Sequence, residues 1–179
     1  MQIVEVNDYY LLDQSLILTK KEEVDLINSW ISNNHSYELI FRASRDRDKV
    51  GDFHRKCDNK TPILVIEKTP NNYIFGRFTN ICTNYIKDEY IYDNKAFIFS
   101  LNQKKRFFSN AKGNDNKAIQ KASNHCIIFG SGANSLQIEN NILTNPRHWN
   151  NPNGSYGDNL NLTENKYYSI NELDIFHIH

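Results

Sequence analysis

A chain of 179 residues has the length of one ordinary domain, and its 39% apolar residues are enough to fill a core of that size. Lys plus Arg and Asp plus Glu total 21 each, so the formal net charge is zero; this removes the global field on which nucleic-acid or anionic-membrane binding draws. The longest apolar runs, 63–66 and 127–129, are far too short to span a bilayer, and the opening MQIVEVNDYYLLDQSLIL carries acids and no basic leader segment.

Residues 1–11 are expected to be peripheral to a single domain spanning 1–179. A helix is predicted over about 20–33: TKKE reads as a capping box between Thr19 and Glu22, and Val24, Ile27 and Ile31 share one face with Trp30 beside them. YELIFRA (37–43) alternates as a strand. After the charged SRDRD, Asp48 is expected to cap a short helix ending at Cys57, with Val50, Phe53, His54 and Cys57 at helical spacing. PILVIEK (62–68) and NYIFGRFT (72–79) read as strands joined by a tight TPNN turn, because Pro70 presets one dihedral and Asn tolerates left-handed geometry.

The segment 80–94 reads as a polar loop, AFIFSL (96–101) as a strand, and NQKK as a turn into RFF. HCIIFGSG is a strand ending in a glycine turn, and SLQIEN (135–140) is one more strand. NPRHWNNPNGSYGDNLN (145–161) is too rich in Pro, Gly and Asn for an element interior and reads as a surface loop. The tail YYSINELDIFHIH alternates again, around one bulge. This order predicts an α+β fold: a central antiparallel β-sandwich flanked by a few short helices.

LIFRASRD followed by FHRKCDNKTPILVIEKTPNNYIFGRFT, with AFIFSLN, IIFGSG and residues 167–178 later, resembles the TLDc domain of the oxidation-resistance proteins over roughly 12–179. The family-motif residues are Arg42, Ser44, Arg45, Asp46, Phe53, His54, Cys57, Asp58, Phe75, Gly76, Gly130 and Gly132. Departures from the family pattern are Arg77 in place of a second glycine, Ile81-Cys82 in place of Ser-Trp, and Asn134 in place of an acid. The resemblance implies a β-sandwich without a cofactor, a role in resistance to oxidative stress, and binding to the vacuolar proton-pumping ATPase. The short apolar runs and the lack of a basic leader predict a place in the cytoplasm or nucleus, and binding to the pump would put the chain at the cytosolic face of acidic organelles.

The chemistry-bearing residues allow rival readings. Cys57, Cys82 and Cys126 are odd in number and lack close pairing, which points to reduced thiols; a thiol-based antioxidant enzyme would need one of them exposed beside a positive group. His54 and Cys57 sit three apart on a helix, yet Cys57 reads better as a small core residue. Arg42, Arg45, Asp46, Arg47 and Asp48 read as charge pairs pinning the strand-to-helix connection rather than as an anion pocket.

No C-x-x-C or H-x-x-x-H spacing suggests a metal, and His177 with His179 read as a solvated tail. The glycines of FGRF and FGSG suit positive-φ or bulge positions. Lys104, Lys105 and Arg106 beside two Phe would serve a nucleic-acid-binding stress regulator, but three charges also suit a solvated hairpin. The favoured expectation is a non-catalytic protein-interaction domain taking no small-molecule substrate, with Tyr85, Tyr90, Trp149 and Tyr156 as loop-borne anchors.

Overall fold

The computed structural model describes residues 13–31, 35–81, 89–109, 118–130, 136–151, 155–156 and 160–179. The reading of 1–11 as a peripheral segment, and the residues Cys82, Tyr85, Gly132 and Asn134, lie outside the described residues. Three helices, α1 (Lys21–Ile31), α2 (Ala43–Asp46) and α3 (Val50–Cys57), accompany twelve strands among the described residues.

The first sheet runs β1-β12-β2-β3-β5-β6, formed by Tyr37–Arg42, Glu172–Ile178, Ile63–Lys68, Ile74–Thr79, Phe97–Ser100 and Lys105–Phe108. The second runs β11-β10-β9-β8-β7-β4, formed by Tyr167–Tyr168, His148–Asn150, Leu136–Gln137, Ile128–Phe129, Ile119–Lys121 and Glu89–Ile91. Every pairing in both is antiparallel, as the α+β sandwich reading requires.

Both faces of the first sheet are covered. One face contributes Val65, Phe75, Ile98 and Ile175 to a core shared with Phe129, Leu136 and Tyr168 of the second sheet and with Phe53 of α3. The opposite face buries Leu64, Ile66, Phe99 and Phe176 against Val24 and Ile27 of α1. Double coverage explains why ILVIE reads as a continuous run and is buried throughout. The TPNN turn closes β2 onto β3 as expected, with the Asn72 amide donating to Thr69 O at 3.0 Å and Asn72 at φ 61°.

Several expectations require correction. The bond returned to the start of α1 comes from Glu23, whose Oε2 accepts the amides of Thr19 (3.0 Å) and Lys20 (3.2 Å), so the capping box is displaced by one residue. Asp48 does not cap α3: its carbonyl accepts the Ile142 amide at 2.7 Å, and the Val50 amide donates instead to Asn140 Oδ1 at 3.1 Å. The 141–144 turn has claimed Asp48, leaving the helix end to a side chain distant in sequence.

The loops expected at 80–94 and 145–161 contain β4 and β10, three-residue strands whose Tyr90, Ile91 and Trp149 favour extended backbone and whose ladders to β7, β9 and β11 pair it. The tail divides between sheets, β11 joining the second and β12 the first. Its bulge lies in the partner strand: register slips between Leu39 and Phe41 of β1, at Ile40.

Candidate interaction surface

The charged strand-to-helix connection is tied down by pairs within the domain. Arg42 Nε donates to Asp174 Oδ1 at 2.7 Å and its guanidinium also reaches Oδ2 at 3.1 Å, while Asp174 is fully buried. Asp174 Oδ2 further accepts Ser15 Oγ (3.0 Å) and the Leu16 amide (3.1 Å), which fixes the segment ahead of α1. Ser44 Oγ donates to Glu172 Oε2 at 2.5 Å. Asp46 accepts the Arg42 amide (2.9 Å), Arg45 (2.6 Å) and Lys56 (2.9 Å). Burial opposes ionisation of Asp46, but Arg45, Lys56 and the Arg42 amide hold its carboxyl well below the ordinary carboxylate range. Arg47 and Arg55 both pair with Asp52. These contacts account for the motif by anchoring.

The two described thiols lie in the interior. Cys57 and Cys126 are buried thiols, and burial pushes both well above their ordinary range. His54 has its ring nitrogens 2.9 Å from Asp58 Oδ1 and 3.0 Å from His125 O, an arrangement that bridges α3 to the 118–130 segment. Phe53 packs edge-on against Phe41 with centroids 6.2 Å apart.

The two motif glycines serve different ends. Gly130 holds a positive φ of 94°, the role expected of it. Gly76 is not a positive-φ residue; a Cβ there would lie 2.0 Å from Val65 O and 2.6 Å from Phe99 Cζ, so it is needed for close approach. Its neighbour Arg77 is fully buried and paired with the equally buried Glu67. Arg77 also donates to Ile127 O at 2.9 Å, and Tyr168 Oη donates to Glu67 Oε2 at 2.8 Å, so this polar cluster joins the two sheets. Glu67 carried no mark in the sequence reading.

Of the four aromatic residues read as anchors, Tyr156 is withdrawn. It is 1% exposed, its hydroxyl donates to Ala118 O at 2.9 Å, and its ring lies 5.5 Å from that of Phe129. Tyr90 is exposed on β4, at the edge of the second sheet opposite β11. Four inter-strand spacings separate it from Trp149 on β10, about 19 Å for a flat sheet, so the two do not form one patch.

Trp149 is half-buried and begins a ladder with residues that the sequence reading missed. Its ring meets Tyr167 edge-on with centroids 5.1 Å apart, Lys166 Nζ stands 3.9 Å above it, and the Arg147 guanidinium stands 4.9 Å over Tyr167. Arg147, Lys166 and Tyr167 are exposed. A cation stacked on each ring keeps large rings at the surface while orienting the charges outward. The available signal was WN followed later by KYY, which cross-strand pairing of Trp149 with Tyr167 brings together. A groove of about 310 Å³ opens beside it, with Tyr167, Pro146, Pro70 and Glu164 in its wall.

Of the basic run, Arg106 is held within the domain, whereas Lys104 and Lys105 are exposed. Arg106 donates to Trp30 O at 2.9 Å and packs over Phe97 and Phe108, Lys105 lies 4.9 Å from the Phe107 ring, and Lys104 occupies a turn at φ 52°. No helix among the described residues is long and apolar enough to cross a membrane.

Among curated proteins no relative matches the chain. The family description TLDc domain matches residues 11–179, which include both sheets, the anchored motif and the aromatic ladder. On that match the chain belongs to the TLDc domain family.

Proposed function

We propose that this TLDc domain is a non-catalytic interaction module that acts in resistance to oxidative stress by binding and regulating the vacuolar proton-pumping ATPase at the cytosolic face of acidic organelles. The observation that carries the reading is the Arg147–Tyr167–Trp149–Lys166 ladder at the β10–β11 edge. Trp, Tyr and Arg are the residue types that dominate binding energy at protein interfaces, and the positive charges of Arg147 and Lys166 favour an acidic stretch on the partner. A two-residue edge strand limits open-ended sheet addition, so recognition falls to side chains. Supporting the non-catalytic part, Cys57 and Cys126 are buried and raised in pKa.

The test is recovery of proton-pump subunits from lysate on the immobilised domain, followed by affinity measurement with the recovered subunit. Tyr167→Ala and Lys166→Ala alter exposed side chains and should each weaken binding by about tenfold or more. Unchanged affinity in both would reject the ladder as the surface. Failure to recover any pump subunit would reject the partner.

A further inference from the structure

We propose that Glu38, His177 and His179 form a binding site for a divalent transition-metal ion of the zinc type. Glu38 and His177 are direct partners across the β1–β12 ladder, so both side chains stand on one face, and His179 lies two residues further along that face. The carboxylate oxygen of Glu38 is 3.3 Å from His179 Nε2 and 3.7 Å from His177 Nδ1, and all three atoms lie within 4.8 Å of one another. Two ligand bonds of about 2.1 Å at a tetrahedral angle separate their donors by about 3.4 Å, so these separations already have metal-site dimensions.

Tautomer and backbone strengthen the assignment. His177 Nε2 lies 3.2 Å from Thr61 O, and a carbonyl only accepts, so the ring proton sits on Nε2. In the neutral ring that leaves Nδ1 as a lone pair; the atom is buried without a hydrogen bond within 3.5 Å and stands 3.7 Å from the Glu38 carboxylate. Two electron-pair donors turned toward each other are satisfied by a shared cation, either a proton on the ring or a metal ion, and the separations suit the metal. A histidine whose other nitrogen donates to a carbonyl is also the usual orientation of a metal ligand.

The solvated-tail reading of these histidines does not describe the backbone. The His179 amide donates to Ser36 O at 3.0 Å, the Ser36 amide donates to His179 O at 3.2 Å, and Ile178 N donates to Pro62 O at 3.0 Å. Three protein donors leave a coordination position for water, and the half-exposed side chains of Glu38 and His179 give an ion access. Imidazole with carboxylate selects zinc and its neighbours over magnesium or calcium. Lys60 adds positive potential at Glu38, which opposes cation binding there.

The experiment is a titration of zinc into chelator-stripped protein against a chromogenic competitor, with magnesium as control. Circular dichroism in chelator confirms that each variant is folded. We expect one zinc per chain, no magnesium binding, and a shift of the His177 Nδ1 and His179 Nε2 nitrogen resonances. Glu38→Gln and His179→Gln, both at exposed side chains, should each lower affinity by about tenfold or more. His125→Gln, whose ring sits 3.4 Å from Glu139 elsewhere, should leave it unchanged. Absence of saturable zinc binding overturns the proposal, as does wild-type affinity in Glu38→Gln and His179→Gln or loss of binding in His125→Gln.

Discussion

Arg77 and Glu67 form an ion pair with no exposed surface on either side chain, on adjacent strands of the first sheet and facing the second. Arg77 Nε has no acceptor among the described residues, while its terminal nitrogens hold Glu67 and the β8-side carbonyl of Ile127. An ion pair removed from water recovers its desolvation cost only through such contacts, so each member depends on the other. The two residues should therefore fail as a unit. Arg77→Met alone is expected to cost about 3–5 kcal/mol, because it strands a buried carboxylate. Adding Glu67→Gln should recover most of that loss. Urea unfolding of both singles and the double gives the coupling, and an additive result would show that the pair is not interacting.

Gly76 should resist even the smallest enlargement. Its place against Val65 O is set by backbone, which cannot rotate away as a side-chain tip can. Gly76→Ala is expected to lower stability by about 3 kcal/mol through overpacking and displaced strands. A change within about 0.5 kcal/mol in denaturant melts would mean that β3 can shift without loss.

His148 gives the fold a sensitivity to mild acid. Its Nδ1 accepts the Glu139 amide at 3.0 Å and its Nε2 donates to Ile142 O at 2.8 Å, a pattern that the neutral ring satisfies. Burial lowers its pKa below the ordinary value of 6.5. Between the lowered folded value and 6.5 the unfolded chain binds the proton and the native one does not, so stability rises with pH in that window. The contribution is complete above about 6.5 and disappears as pH falls through the folded value. Stability measured from pH 7.5 downward should drop more steeply in the native sequence than in His148→Gln; parallel curves would assign the acid sensitivity elsewhere.

Cys57 and Cys126 should be silent toward thiol reagents until the protein opens. In a Cys82→Ser background, an aromatic disulfide reagent should titrate no thiol in the folded state and two in denaturant. Rapid native labelling, or peroxide turnover that disappears in the Cys57→Ser variant, would favour the thiol enzyme over the interaction module.

Periodicity made the covered strands and α1 legible, since Leu64, Ile66, Val24 and Ile27 repeat at the spacing of their own elements. The TPNN turn was legible from Pro70 and Asn72 for the same local reason. What escaped notice depends on partners distant in sequence. Tyr156 lies among Asn, Gly and Pro, so nothing nearby marks it as core; Ala118 and Phe129 decide that. Glu67 lies in phase with Ile63 and Val65 on the inner face, a warning that alternation offered, but its compensation by Arg77 is visible only across the ladder. His177 and His179 fail every helical metal spacing because strands place ligands at alternate residues, with the third donor supplied by a neighbouring strand.

The second position of the first sheet belongs to β12, flanked by β1 on one side and β2 on the other. During synthesis both of those earlier strands emerge before the partner to which each is antiparallel, and each keeps a ladder edge unpaired until then. The nascent domain must therefore wait, with two adhesive edges open, until residues 172–178 leave the ribosome. A release or nick ahead of that stretch would discard the keystone of the sheet and leave a species prone to pairing with its own copies.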